Sequence, residues 1–282
     1  MKKILVPTDF SANAMKAAVY AAEIAKKNGA TIFLLHTIEP VADSIRQPFP
    51  LHERYLTEVT NARLRELELS RSAIATTYPD IKIETELAKG TVSTSILDFA
   101  EGQQIDLIVM GTKGAAGLKE IFMGSVAAGT IGRTKIPVLA IPDEYEMDEP
   151  DGILFATNHF EENTDLLNKI VEVAKLFSAT IHVAVFVDTN TADATDYIYN
   201  GRQLNHYMDF LKKTFPGVAF KGELLEGKEF EETVENYDTK NEVDIIAMIT
   251  YPKSIWERLM RKSVTKKMAF HSKIPVLAIP AK

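Results

Sequence analysis

Short apolar runs alternate along this chain with longer stretches in which apolar residues recur every three or four positions. Ile4–Pro7 is the first such run and reads as a buried strand. Ser11 stands ahead of a segment reaching about Lys27 that carries Ala14, Ala17, Ala18, Ala21 and Ile24 on one stripe. That combination predicts an amphipathic helix with a hydroxyl cap. Thr31–His36 reads as the second strand, followed by a polar-rich helix over about Leu51–Thr77. Ile81–Leu87 alternates apolar and polar residues, as an outer strand with one wet face does. A helix over Val92–Gly102, a buried run at Ile105–Met110, a helix over Gly124–Arg133 and a strand at Val138–Ile141 complete the series. The alternation predicts an α/β domain with a doubly wound, five-stranded parallel sheet and right-handed crossovers.

The same order then recurs. Lys135-Ile136-Pro137-Val138-Leu139-Ala140-Ile141-Pro142 returns unchanged at Lys273–Pro280, an offset of 138. Near the starts, Ile4-Leu5-Val6-Pro7-Thr8-Asp9 lies over Ile153-Leu154-Phe155-Ala156-Thr157-Asn158 at an offset of 149, and Ala30-Thr31-Ile32 lies over Ala179-Thr180-Ile181. The second copy has lost about eleven residues in its middle. Each copy has the size of a domain rather than of a solenoid repeat. Two tandem domains follow, 1–143 and 152–282, joined by an acidic, apolar-poor linker over 144–151. In the second copy, strands are expected near Ile153–Ala156, Thr180–Phe186, Val218–Leu224, Ile245–Ile249 and Val276–Ile279, with a helix over Asn163–Phe177.

Composition narrows the partners. With 282 residues, a net charge of −7 and a pI near 5.5, the chain lacks the electrostatic drive for general nucleic-acid binding. No cysteine is present, which excludes disulfides, thiolate metal sites and cysteine nucleophiles. The opening Met1–Pro7 is too short for a signal-peptide core, and no stretch approaches the ~20 apolar residues of a membrane span. A cytoplasmic protein with no membrane partner is expected.

The chemically informative segment is Met110-Gly111-Thr112-Lys113-Gly114, then nine residues, then Gly124-Ser125-Val126. It opens where a buried strand ends and closes where a helix begins. A helix start offers amides without intrahelical acceptors, glycines let a backbone approach an anion, and Ser125 adds a hydroxyl. Any one of these glycines alone reads as a strand or helix terminator. Three at this spacing favour an anion cradle.

The spacing G-x2-G-x9-G-S, met by Gly111, Gly114, Gly124 and Ser125, resembles that of nucleotide-binding universal stress proteins. The opening Ile4–Ser11 and the closing Ile136–Leu139 are similar to that family as well, and the likeness covers both halves. The resemblance implies a Rossmann-like fold of the adenine nucleotide α hydrolase type. It also implies ATP, or the related ADP or AMP, as ligand, with a magnesium ion brought by the nucleotide. On that basis Pro7, Thr8 and Asp9 line the adenine and ribose end. Thr37, where the family often has valine, borders the base, and Met110 and Thr112 flank it. Gly111, Gly114, Gly124, Ser125 and Val126 surround the phosphates. Strand order 3-2-1-4-5 would make the first and fourth strands neighbours at the switch point, where ligands bind. Asp9 also has a structural reading as a cap of the following helix, and His36 reads as a local packing or hydrogen-bonding residue.

In the second copy Gly111 becomes Ile249, Gly114 becomes Pro252, Gly124 becomes Lys262 and Asp9 becomes Asn158, while Ser125 persists as Ser263. One competent nucleotide site is therefore expected, in the first domain. Lys253–Lys267, with Arg258, Arg261, Lys262, Lys266, Lys267 and Trp256, reads as a solvated helix face or a weak anion surface. The twin final strands, Val138–Ile141 and Val276–Ile279, are apolar edge candidates. The resemblance implies that they pair within one chain as a pseudo-dimer, leaving further homodimerisation open. No Walker-type phosphate loop, G-x-G-x-x-G fingerprint or nucleophile elbow occurs, and the six histidines lack metal-ligand spacing. Three functions remain: a nucleotide-binding stress or signalling protein acting on an unknown partner, a slow ATPase or phosphotransferase using the same cradle, and a ligand-free scaffold.

Overall fold

The computed structural model describes residues 1–39, 49–113, 125–146, 149–241, 243–251 and 272–281. The chain divides into two units, Met1–Asp143 and Glu144–Lys282.

The first unit runs β1 (Lys3–Pro7), α1 (Ala12–Asn28), β2 (Thr31–Ile38), α2 (Phe49–Thr77), β3 (Ile83–Lys89), α3 (Val92–Gly102), β4 (Leu107–Gly111), α4 (Ser125–Ile131) and β5 (Val138–Ile141). Its strands lie in the order β3-β2-β1-β4-β5 and all neighbours are parallel. This is the order expected from the sequence. Ile4, Leu5 and Val6 of β1 are fully buried, as are Ile108 and Val109 of β4. A strand covered on both faces needs such an unbroken apolar run. At the outer edge, Glu84 and Glu86 of β3 are exposed between half-buried Ile83, Thr85 and Leu87.

Local devices set the boundaries. The Ser11 hydroxyl accepts the Ala14 amide at 3.1 Å and starts α1, whose Ala17, Ala21 and Ile24 are fully buried against the sheet. Gly29, with φ of 69°, ends that helix and donates its amide to the Ala25 carbonyl. β3 begins at Ile83 rather than Ile81 because the Ile81 amide closes a turn on the Tyr78 carbonyl. β4 begins at Leu107 rather than Ile105 because the preceding residues also serve a turn. The Ile105 amide returns to the Ala100 carbonyl at 2.9 Å. The Asp106 carboxylate accepts the Lys2 and Lys3 amides at 2.6 and 3.0 Å.

The second unit runs β6 (Gly152–Ala156), α5 (Thr164–Phe177), β7 (Thr180–Asp188), α6 (Ala194–Thr214), β8 (Phe220–Gly227), α7 (Phe230–Asn241), β9 (Ile245–Thr250) and β10 (Val276–Pro280). Its parallel order, β8-β7-β6-β9-β10, repeats the first. Asp244 accepts the Asp151 and Gly152 amides at 2.7 and 3.1 Å, the same clamp that Asp106 makes. β8 starts two residues later than the alternation predicts, because the Val218 amide closes a turn on the Phe215 carbonyl. Among the described residues, no helix is long and apolar enough to cross a membrane.

Candidate functional site

β1 and β4 are neighbours, with Ile4 beside Leu107 and Leu5 beside Ile108. From β1 the chain proceeds to β2 on one side. From β4 it proceeds to β5 on the other. The two departing loops therefore open a crevice at the carboxyl ends of these strands, the switch point of the sheet.

The loop after β1 is closely tied. The Thr8 amide donates to the Leu35 carbonyl at 2.8 Å, and the Thr8 carbonyl accepts from His36 Nδ1 at 2.8 Å. This bond fixes His36 with its proton on Nδ1. Burial pushes its pKa below the usual imidazole value, so the ring stays neutral near pH 7. Thr8 Oγ1 accepts the Phe10 amide and Asp9 Oδ1 accepts the Ser11 amide, both at 3.0 Å. Phe10 takes a left-handed backbone, φ 64°, and its ring lies 4.4 Å from that of His36. The Arg63 guanidinium stands 5.9 Å from the Phe10 ring centre. The cap of α1 is thus Ser11. Asp9 orders the turn one step earlier and leaves its side chain exposed.

At the end of β4, Gly111 is a close-approach glycine. A Cβ there would stand 2.4 Å from Asn13 Oδ1 and 3.1 Å from the Asn13 carbonyl carbon. Asn13 is only 3% exposed. Its Oδ1 accepts the Lys113 amide at 2.9 Å and its Nδ2 donates to the Ile141 carbonyl at 3.2 Å. The Thr112 amide also donates to the Ile141 carbonyl, at 3.1 Å. One amide side chain therefore ties α1 to the ends of β4 and β5. Lys113 Nζ pairs with Asp143 Oδ2 at 2.9 Å, and Lys16 Nζ donates to the Asp143 carbonyl.

Sequence reasoning missed Asn13, Lys16 and Asp143, and passed over Lys113. One signal was available for Asn13: it occupies the apolar stripe of α1, four residues before Ala17. A polar side chain on a buried stripe needs partners.

Pro7 ends β1, half-buried. Thr37 and Met110 are buried within β2 and β4, at 8% and 4% exposure. Thr112 is half-buried, and Ser125 and Val126 head α4, where amides lack an intrahelical acceptor. Gly114 and Gly124 lie outside the described residues, as do Pro252, Lys262, Ser263 and the basic stretch Lys253–Lys267. The Thr8, Phe10 and Ser11 amides after β1 and those of Thr112 and Lys113 are engaged within the protein. Amides offered to an anion on this side would come from beyond Lys113.

The matching place in the second unit is built differently. The Thr157 amide bonds the Ala184 carbonyl at 2.9 Å, as Thr8 bonds Leu35. Beyond it, Tyr251, at the position of Lys113 in the repeat, donates its hydroxyl to Glu161 Oε2 at 2.5 Å. Tyr207 donates to the Glu161 carbonyl at 2.6 Å, and Glu161 Oε1 accepts the Asn163 amide at 2.7 Å. The rings of His159 and Tyr251 lie 5.2 Å apart, those of Phe160 and Tyr207 5.5 Å. Burial raises the Glu161 carboxyl, but the Tyr251 hydroxyl and backbone amides outweigh it and hold the group below its usual range. Burial and Glu161 push both tyrosine hydroxyls well above the ordinary phenol value.

Two doubly wound parallel units that repeat one strand order define a tandem α/β protein. The universal stress protein family matches residues 1–142 and again 151–280, and the chain belongs to that family. It is 34% identical over 140 residues to a universal stress protein of Methanocaldococcus jannaschii, covering 50% of this chain and 81% of that protein. A universal stress protein of Thermus aquaticus is 31% identical over 140 residues, covering 50% of this chain and 98% of its own. The crystal structure of a universal stress protein from Archaeoglobus fulgidus superposes with a TM-score of 0.70. That match covers 99% of this chain and 96% of the other at 19% identity, a likeness of fold.

Proposed function

We propose that the first unit binds ATP, or the related ADP or AMP, at the carboxyl ends of β1 and β4. The bound nucleotide biases a surface through which the protein meets a partner in a stress or signalling response. The carrying observation is that the one intact G-x2-G-x9-G-S segment leaves the sheet at its switch point, beside Thr8 and Asp9.

The residues suit such a ligand. Pro7, Thr8, Thr37 and Met110 supply the wall for a base, and the Asp9 carboxylate is an acceptor for ribose hydroxyls. Lys113 brings positive charge to the entry of the cradle, and Thr112 and Ser125 bring hydroxyls. Gly111, Gly114 and Gly124 let main chain, rather than side chains, meet the phosphates, with Ser125 and Val126 supplying amides. A magnesium ion accompanying the nucleotide would be held by phosphate oxygens and water.

Calorimetry with ATP tests the site. Gly124→Lys, which copies the second unit, is expected to abolish binding while leaving the circular dichroism unchanged; undiminished affinity would refute the cradle. Asp9→Asn is expected to weaken binding by about 1 kcal/mol, the difference between a charged and a neutral acceptor for a ribose hydroxyl. Mass spectrometry of small molecules released on denaturation identifies the nucleotide, and phosphate release over hours shows whether it is turned over.

A further inference from the structure

β8 ends the strand order of the second unit, and among the described residues no strand pairs with its outer side. In parallel pairing every second residue turns its N–H and C=O to the neighbouring strand, and the residues between turn theirs away. The Ala219 and Gly227 carbonyls accept the Ile181 and Thr189 amides, each at 2.9 Å. The odd-numbered residues of β8 therefore face β7, and Gly222, Leu224 and Glu226 present their main-chain groups outward. A cavity of about 440 Å³ lies against this strand, lined by residues 223–228 and by Glu232, Thr233, Asn236 and Tyr237 of α7. A cavity on one face of a strand meets every second residue; this one meets consecutive residues, so it runs along the open edge itself. At one end Gly227 draws α7 onto the strand, since a Cβ there would stand 3.0 Å from Thr233 Cβ.

The charge of the groove is one-sided. Glu223, Glu226 and Glu232 line it against one cation, Lys228. Glu226 and Glu232 are exposed, while Glu223 is half-buried and held in place. The Tyr237 hydroxyl donates to the Glu223 carboxylate and lies 2.8 Å from Nδ1 of buried His182. One phenol uses only part of the acceptor capacity of a carboxylate. Two copies of this edge would bring carboxylates together, which points away from self-pairing and toward a strand that carries cations.

We propose that the open edge of β8 docks an extended, lysine- or arginine-bearing segment of a partner protein as an added strand. The segment pairs its main chain with Gly222, Leu224 and Glu226, and its cationic side chains meet Glu223, Glu226 and Glu232. Main-chain bonds supply affinity, and the carboxylates select the sign of the side chains. This surface belongs to the second unit and stands whether or not the first binds a nucleotide.

Three fluorescein-labelled octapeptides test it: alternating lysine and valine, the same sequence with every backbone amide N-methylated, and alternating glutamate and valine. Binding to the full chain is read by fluorescence anisotropy, and amide hydrogen exchange by NMR with and without the lysine–valine peptide. That peptide is expected to bind and to slow exchange of the Leu224 and Glu226 amides about tenfold or more. The Glu223 and Leu225 amides, which already face β7, are expected to stay unchanged. N-methylation keeps the charge and removes the donors, and is expected to weaken binding about tenfold or more. Glu226→Gln combined with Glu232→Gln, two exposed positions, is expected to weaken it about tenfold. The docking strand would be overturned by absence of binding, by equal binding of the N-methylated or glutamate peptide, by undiminished binding to the double variant, or by binding without the alternating protection. Full displacement by an equal concentration of spermidine would make the groove a site for small organic cations instead. Dimerisation that protects the same amides without peptide would make the edge self-pairing, and either result would equally overturn the proposal.

Discussion

The two units share strand order, the Asp106 and Asp244 clamps and the bond that draws the first loop onto the second strand. They part beyond the ends of β1 and β6. In the first unit the polar groups there are tied to backbone, with a lysine and a carboxylate at the rim and a glycine where α1 touches β4. In the second, Ile249 stands for Gly111, and the rim is a Glu161–Tyr251–Tyr207 cluster flanked by His159 and Phe160. A single scaffold has thus been finished in two ways, one carrying the glycine segment and the other satisfying its polar groups through a side-chain cluster. The second unit reaches the same strand order without those glycines. The strand order alone therefore does not require the glycine segment of the first unit.

Gly111 is the sharpest point of that contrast. Gly111→Ile, the residue of the second unit, forces a side chain into Asn13, including its backbone carbon at 3.1 Å. It is expected to cost about 3 kcal/mol in urea unfolding, at the upper end for overpacking. A milder pair locates the cause. Gly111→Ala should cost less in an Asn13→Ala background than in wild type, by about 1 kcal/mol of coupling, because the Asn13 amide group is then gone. Equal costs in the two backgrounds would show that the glycine is not there for Asn13.

The opposite mouth is tested through its own closure. Tyr251→Phe removes the hydroxyl that Glu161 accepts and is expected to destabilise the second unit by about 1 kcal/mol, reduced from the usual value for a charged acceptor by exposure. The sign of its pH dependence follows from Glu161. Its folded pKa is depressed, so the stabilisation is present above the unfolded carboxyl pKa and is lost as pH falls through the folded one. The gap between wild type and Tyr251→Phe should therefore be full near neutrality and close under acid. A gap that persists in acid would assign the effect to a hydroxyl contact that does not need the ionised carboxylate.

The sheet is legible in the sequence because its signals are local. Unbroken apolar runs mark β1, β4 and the two final strands, alternation marks β3, and the repeated octapeptide exposes the duplication. The glycine spacing marks the candidate site for the same reason. What escapes is made by pairs far apart in sequence. Asn13 finds its partners at Lys113 and Ile141, and Tyr251 finds Glu161, ninety residues away. Nothing near Asn13 encodes those partners; only its place on an apolar stripe betrays that it must have some. Of the two side chains that the sequence offers as caps for α1, Ser11 stands nearer the helix start and takes that role, leaving Asp9 to the preceding turn. β3 and β8 begin later than the alternation predicts because the residues before them close turns, a matter of two hydrogen bonds that hydrophobic alternation does not record.

The smallest difference concerns the ends of the first helix in each unit. Gly29 closes α1 at φ 69° and Ser178 closes α5 at φ 59°, each donating its amide four residues back. These positions correspond in the repeat. A left-handed backbone is free for glycine and costs a Cβ-bearing residue about 1–2 kcal/mol. Glycine returns part of that through the greater entropy of its unfolded chain, about 0.4–1 kcal/mol. Ser178→Gly is therefore expected to stabilise the second unit by about 0.5 kcal/mol, and Gly29→Ser to destabilise the first by a similar amount. No clash complicates the second change, since a Cβ on Gly29 meets nothing within 4 Å. Denaturant midpoints should shift in opposite directions with unchanged slopes. If Ser178→Gly lowered the midpoint, the serine side chain would be holding the helix end by a contact worth more than the backbone strain it imposes.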